Sequence, residues 1–418
     1  MANTTLTADI IAKEALVILE NELGVLNTFH RAFEDEYDST VNGYKKGATI
    51  SIRRPADFTV RSGATMDLQD VIEGKVTLTV DQQKGIDFSF SSSDLTLKIS
   101  DLSERVIKPA MSSLINEVTY DCMSTFLPAV YNYVGTPGTD VNSFDDFYRS
   151  QERLNEMSVP VDNRYAVLNP TDHARMLGNL TGLYIANDAR GAYRQGNLGN
   201  IGGADVMMTQ VMPAQDYGTA DNTTPLTDGN SQEVSYDTAK DTWTQTLVTD
   251  GWDASKTLKA GQVFTIAGVY MVNPKTKRST GVEQQFTVVT DLTTNANAAN
   301  DTNITISPPI ITSGPHQTVT YSGNFDGLAI TIIGPAAGSA ATKRQNVSYH
   351  KNAFALAMVP MEMPQAAYNG SRKSYKGISV RVIPVYDGIN DTSKWRLDVL
   401  YGRRTIDPRL ATRFGGTA

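Results

Sequence analysis

DLTLKISDLSERVIKPAMSSLINEVTYDCMSTFLPAVYNY, residues 94–133, sets the architecture of the chain. Its apolar residues Leu95, Ile99, Leu102, Val106, Met111, Leu114, Ile115, Val118, Cys122, Phe126 and Val130 fall at three- and four-residue steps, the period of one helical face. Pro109 withholds a backbone donor, which predicts a kink or the start of a second segment. The part beyond it is roughly 24 residues, or about 36 Å at 1.5 Å per residue. Gly135-Thr136-Pro137-Gly138 ends the pattern. A helix with so long an apolar face needs partners along it, and the flanking segments must supply them.

Upstream, residues 48–55 and 75–80 alternate apolar and polar, and Ile86-Asp87-Phe88-Ser89-Phe90 continues the alternation. Ala56 to Gly74 between them is polar, charged and poor in core residues, which predicts a two-stranded ribbon with an exposed, charged tip. Such a ribbon is barely stable alone and needs a partner surface. Residues 8–23 (Ile10, Ile11, Ala15, Leu16, Ile18, Leu19, Leu23) are apolar at helical spacing, with Thr7 as N-cap and Gly24 as stop. A helix this short must dock, either on its own domain or as an arm on a neighbouring subunit.

Downstream, a helix at 143–156, a strand Tyr165-Ala166-Val167-Leu168 and a helix from Thr171 give mixed α/β texture. Gly196 to Gly203 reads as a flexible loop before a strand, Ala204 to Val211. At about 217 the composition changes: residues 217–344 hold 24 threonines and only five leucines, which favours strands over helices. Strand candidates recur at 233–237, 242–249, 262–272, 284–290, 303–307, 317–321 and 328–333, the spacing of a compact barrel or sandwich. Asp216 to Asn230 and Gly334 to Arg344 read as linkers. Mixed texture returns at Asn352 to Val359, 377–386 and 394–401, so the β-unit is inserted into a host domain.

The 418 residues, 40% of them hydrophobic, suffice for two or three domains. A net charge of −8 argues against tight nucleic-acid binding, which relies on neutralising phosphates. The single cysteine, Cys122, excludes an internal disulfide, and its place on an apolar stripe favours burial over nucleophilic use. The N-terminus has no secretory pattern and no apolar run reaches a membrane span, so the expectation is a soluble protein made in a reducing cytoplasm.

No catalytic set emerges. The four histidines, His30, His173, His316 and His350, lie in separate segments with no zinc-binding spacing. Asp172-His173 opens a helix, where an acid suits the dipole. Gly196 to Gly203 leads into a strand rather than from a strand into a helix, so it lacks the mechanism of a dinucleotide fingerprint. No cofactor and no metal are expected.

The order of elements resembles the major capsid fold of tailed bacteriophages, the HK-ninety-seven-like fold. Asp101 to Pro109 is similar to that family's spine entry, and Tyr165 to Asp172 to its central strand-to-helix turn. Gly377 to Arg381 with Trp395 to Gly402 resembles its closing strands. The insert, with Leu258 to Ile266, is similar to the additional β-domain of coat proteins from short-tailed phages of enteric bacteria.

The resemblance implies an α+β chain: an N-terminal arm at 1–45, an extended ribbon loop at 46–92, and a peripheral domain with the spine helix at 93–146. A central domain at 147–216 and 345–400, an inserted all-β barrel-like domain at 217–344 and a C-terminal peripheral segment at 401–418 complete it. It further implies a virion protein that assembles as pentamers and hexamers into an icosahedral shell around double-stranded DNA. Partners would be other copies, a scaffolding protein, a portal ring, a decoration protein and, weakly, the packaged DNA, with no membrane. Candidate subunit contacts are Arg53, Arg54, Asp57, Arg61, Asp67, Asp70, Glu73 and Lys75 in the ribbon, and Ile10, Leu16 and Leu19 in the arm. Each exposed charge pair would contribute only about 0–1 kcal/mol, multiplied over a shell. In the insert, a hairpin from Tyr236 to Asp241 (Asp237, Lys240, Asp241) and a basic tip (Lys275, Lys277, Arg278) are candidate contacts between capsomers. The alternative is a tail-associated or adhesin-like binding protein, which leaves ribbon and spine helix unexplained.

Overall fold

A computed structural model of the chain describes residues 8–22, 24–33, 40–41, 44–45, 47–66, 68–91, 103–180, 198–220, 225–297, 300–335, 340–364, 370–375 and 378–417. The chain divides into two compact units. The first comprises Met1–Ser51, Thr77–Cys122 and Phe354–Arg404; the second comprises Ile52–Val76, Met123–Ala353 and Thr405–Ala418.

The first unit is built on a sheet whose strands run in the order Ser371–Tyr375, Ile378–Asp387, Thr392–Thr405, Lys75–Ser91, Thr49–Arg53, with Phe354–Met358 paired beside Thr392–Thr405. The two separate alternating runs expected after residue 75 are one strand of 17 residues. It pairs antiparallel with Thr392–Thr405 from Thr392↔Ser91 to Tyr401↔Gln82, and a bulge follows at Gly402↔Val80. A Cβ at Gly402 would collide with the Thr79 backbone, so the close approach there requires glycine.

Helix α1 (Ala8–Glu22) lies against Ser371–Tyr375 and Ile378–Asp387 of its own unit. Ile11, Ala12, Ala15 and Leu16 are buried, and Gly24 at φ +40 ends the run as expected. Thr7, read as its N-cap, lies outside the described residues. Helix α2 (Lys108–Phe126) starts at the residue before Pro109, behind one wider turn, Ser103–Ile107. Of the two outcomes expected from Pro109, a fresh start is the one found; the ring sits in the first turn, where no donor is missed. The helix stops at Phe126, seven residues short of Tyr133, because Pro128 converts the continuation into a 3-10 turn, Leu127–Ala129. The expected helical residues 94–102 lie outside the described residues.

Late in α2, Asp121 accepts from the Tyr401 hydroxyl at 2.5 Å and from Arg403 at 2.8 Å. Cys122 beside it is fully buried, and burial, with Asp121 adding to it, pushes its thiol far up. That matches the expected structural role.

The host sheet of the second unit runs Tyr133–Val134, Ala411–Phe414, Asn346–His350, Arg164–Leu168, Ala204–Met208, Asn200–Ile201. Helix α3 (Phe144–Glu156) is capped by Ser143, which accepts from the Asp146 amide. Helix α4 (Pro170–Leu180) begins with the Asn169 side chain accepting from the Asp172 amide. Asp172 is 2% exposed and accepts from the Asn169 and Asn346 amides, both at 2.6 Å, so this acid is a structural hub. His173 is buried beside it, and burial lowers its pKa. The glycine-rich stretch before Ala204 is a turn rather than a flexible loop: Gly202 and Gly203 take positive φ and close the antiparallel pair Ile201↔Ala204. Residues 196 and 197 lie outside the described residues.

The insert leaves and rejoins the host through one stem, in which Ala341↔Tyr217, Thr342↔Asp216 and Lys343↔Gln215 pair antiparallel. The segments read as linkers are therefore partly strands. Fully buried Arg413 ties the stem down, donating to Gln215 Oε1 (3.1 Å), Gln345 Oε1 (3.4 Å) and the Gly261 carbonyl (2.7 Å). Beyond the stem the strands run Leu226–Thr227, Gln245–Asp250, Thr302–Ser307, Ser279–Val288, Val263–Val272, with Ile330–Ile333 also paired to Val263–Val272. A bridge Leu226↔Ala329 closes the ring into a small barrel. Leu247, Phe264, Ile266, Phe286, Ile304 and Ile306 fill it. One expected strand, 233–237, is absent: Tyr236–Ala239 is a single helical turn, α5, so Tyr236 to Asp241 is not a hairpin.

Candidate functional site: the loop 54–74 and the insert

The ladder between Thr49–Arg53 and Lys75–Ser91 stops at the base of the predicted ribbon; 54–74 has no strand among its described residues. The Arg54 amide bonds the Gly74 carbonyl at 2.8 Å and closes the loop. Farther out, the Gln69 amide accepts from the Thr59 N–H at 2.8 Å and donates to its carbonyl at 2.7 Å. One side chain thereby imitates a strand partner across the loop. Arg61 braces the tip by donating to the carbonyls of Gly63 and Thr65.

The tip is not the polar, charged one expected from sequence. Phe58, Val60, Met66, Leu68 and Val71 are 55, 93, 74, 86 and 63% exposed. Five large apolar side chains on one short loop are far more than scattered surface hydrophobics. The signal was present in the spacing of 58 and 60, and of 66 and 68, which alternates as a strand does without a neighbour to complete it.

The charged residues of the loop divide. Arg53 and Glu73 form an exposed pair at 3.3 Å, and Asp70 is exposed. Asp67 lies outside the described residues. Arg54 and Asp57 turn inward. The Arg54 Nε donates to the Ile406 carbonyl at 3.2 Å, and its guanidinium lies 5.3 Å from the Trp243 ring centre. The Arg409 guanidinium takes the same ring at 5.5 Å, grips Asp407 through Nε and Nη2 (2.8–3.1 Å), and reaches Asp57 Oδ2 at 3.0 Å. Trp243 itself sits at φ +59, an unusual conformation for a bulky residue, and its buried indole N–H has no partner among the described residues.

Around Asp57 the insert contributes Lys275 Nζ at 3.8 Å and His316 Nδ1 at 3.7 Å. The His316 ring stacks on Tyr236 with centres 3.5 Å apart. Burial lowers the His316 pKa to about 4, with Arg409 and Lys277 adding and Asp57 opposing, so the ring is neutral near pH 7. Burial would raise the Asp407 carboxyl, but Arg409 and Arg54 outweigh it and hold it low. Lys277 is lowered by burial, with Asp57 pulling the other way.

The remaining candidates are placed as follows. Asp241 accepts from the Lys75 N–H at 3.1 Å, and Lys240 pairs with Asp237 on the surface at 2.6 Å. Arg278 is exposed at the end of its turn. Leu16 is 9% exposed within the first unit; the side chains of Ile10 and Leu19 lie outside the described residues. Thus Arg54, Asp57, Lys75, Asp241, Lys275 and Lys277 come together in one subunit. Tyr236, from the segment expected as a contact hairpin, joins them; Trp243, His316, Asp407 and Arg409 complete the group and were not foreseen. Among the described residues, no three of His, Cys, Asp and Glu stand together as metal ligands, and no helix is long and apolar enough to cross a membrane. The arrangement can hold a loop; it presents no nucleophile beside a base.

A sequence model of the family described as "P22 coat protein - gene protein 5" matches residues 15–416. No curated protein sequence matches the chain. Among solved structures, one from Mycobacterium phage Che8 is similar at TM-score 0.48 and 14% identity, over 94% of this chain and 91% of that one. The capsid of Cyanophage P-SCSP1u has TM-score 0.43 and 10% identity over 95% and 98%. The mature capsid of bacteriophage PhiM1 has TM-score 0.43 and 11% identity over 93% and 88%.

Proposed function

The chain belongs to the P22 coat protein family and is a major capsid protein of the icosahedral head, and from that premise we propose that its copies join through the loop 54–74. The five exposed apolar side chains, Phe58, Val60, Met66, Leu68 and Val71, carry this reading. Covering each would contribute about 1.5–3 kcal/mol, more than any exposed charge pair of the loop can. Arg53, Arg61, Asp70 and Glu73 would then surround an apolar centre and set which copy fits, as charged rims do. The apolar face of α1 is already covered by its own unit, so the arm would add contacts through its outer side, where Val17 is 49% exposed.

In the same reading the copies close as pentamers and hexamers around a scaffolding protein and a portal ring. Assembly takes place in the host cytoplasm, with room for a decoration protein. The arm, ribbon, peripheral, central and inserted segments act as parts of one shell subunit rather than as separate enzymes. The acidic balance of −8 keeps the wall from gripping packaged DNA.

The test is the triple substitution Phe58→Ser, Val60→Ser, Leu68→Ser. The purified subunit should melt as the parent does, because these side chains contribute nothing to its own core. With scaffold present it should fail to give shells by electron microscopy and sedimentation. Shells at the parental yield would end the proposal.

A further inference from the structure

Both legs of the loop rest on the insert of the same subunit. The outgoing leg carries Asp57, which faces Arg409, Lys275 and His316. On the returning leg, the backbone of Ile72, Gly74 and Lys75 meets the insert. The His316 ring lies against the backbone of Ile72 and the Tyr236 hydroxyl against that of Gly74, and Asp241 accepts from the Lys75 N–H at 3.1 Å. Tyr236 and His316 are the stacked pair, so two rings in face contact border the returning leg at Gly74 and Ile72. Gly74 fits because it has no side chain. A Cβ there would run into the Lys240 carbonyl and stand 2.9 Å from the Tyr236 hydroxyl. The barrel does not need these residues: its core is Leu247, Phe264, Ile266, Phe286, Ile304 and Ile306, from other positions.

We propose that α5, Trp243 and His316 of the insert form a seat that fixes the direction in which the apolar loop leaves the subunit. The loop then meets a second copy of the chain already oriented. Backbone groups and a buried charge pair hold the legs, while the apolar tip stays uncovered. A loop ordered before contact loses less conformational freedom on binding, which favours association without any new contact at the interface. The inference rests on the reading that the tip docks on another copy, but the seat itself is testable in an isolated subunit.

Two variants address it without touching the barrel core: Gly74→Ala, which pushes the returning leg off Lys240, and the pair Asp57→Asn with Asp241→Asn, which removes both carboxylates. Backbone amide hydrogen exchange of the unassembled subunit gives the first readout. Amides of 57–75 should exchange on the order of tenfold faster in both variants, as expected from losing a charge-assisted hydrogen bond, while Val263–Val272 and Ser279–Val288 keep their protection. Scaffold-driven assembly followed by light scattering gives the second readout, and it should slow. Unchanged exchange in 57–75, or faster exchange with an unchanged assembly rate, would overturn the proposal. The triple serine variant separates the two ideas. If it assembles normally the docking reading fails, whereas the exchange of its loop legs still reports the seat.

Discussion

Replacing Arg409 by Met should destabilise the second unit by about 3 kcal/mol. Its guanidinium makes three contacts of 2.8–3.1 Å with Asp407 and one of 3.0 Å with Asp57. The side chains of Arg409, Asp407 and Asp57 are 19, 15 and 10% exposed, so solvent can only partly compensate two stranded carboxylates. Breaking a fully buried pair costs about 3–5 kcal/mol, and the residual exposure reduces this to about 2–3. Loss of the contact with Trp243 adds about 0.5–1 kcal/mol, of which the Met chain restores part by packing. The sum is on the order of a hundredfold in the folded-to-unfolded ratio. Urea titration of the unassembled subunit at pH 7, followed by tryptophan fluorescence, measures it. Adding Asp57→Asn and Asp407→Asn to the Met variant removes the stranded charges and should recover more than half the loss. A single-variant cost below about 0.5 kcal/mol, or a triple variant no better than the single, would refute the view that charge compensation holds this cluster together.

Two further outcomes are expected. The His316 pKa falls from an ordinary value near 6.5 to about 4 on folding, so between those values the unfolded chain binds the extra proton and stability drops as the solution is acidified. Urea midpoints at pH 7.5 and 5 should show the loss, His316→Gln should flatten it, and an unaltered slope would count against the assignment; His173 and His350, also lowered by burial, supply the remainder. Cys122, 0% exposed with its thiol pushed up, should resist aromatic disulfide reagents in the native subunit and react at the rate of unfolding. Stoichiometric labelling within minutes under native conditions would contradict the packing described for α2.

Local periodicity made much of the fold legible. The helices at 8–22, 144–156 and 170–180, and the long strands of the insert, follow from side chains at spacing 3.6 or 2 together with their caps. The expectation of an inserted β-unit came from the change in composition together with the mixed texture that returns at 352–401. What escaped depends on partners distant in sequence. Asp57 and Arg409 are 352 residues apart, and nothing near either one announces the other. Val234 and Tyr236 alternate like a strand, yet the segment closes into a helical turn, with the Trp243 amide bonding back to the Ala239 carbonyl at 2.7 Å. The loop tip looked polar because five charged residues are interspersed among its apolar ones; only accessibility separates charges that turn inward from apolar groups left outside.

The stem of the insert has a consequence for inheritance. Since Gln215–Tyr217 and Ala341–Lys343 are hydrogen-bonded neighbours, the points where the barrel departs and returns already form the base of a hairpin. A lineage could gain or lose more than a hundred residues there with no change in the strand order of the host sheet. The host would still close, but Asp57 and Gly74 would have nothing to lean on, and the freed loop would have to find its bearing elsewhere.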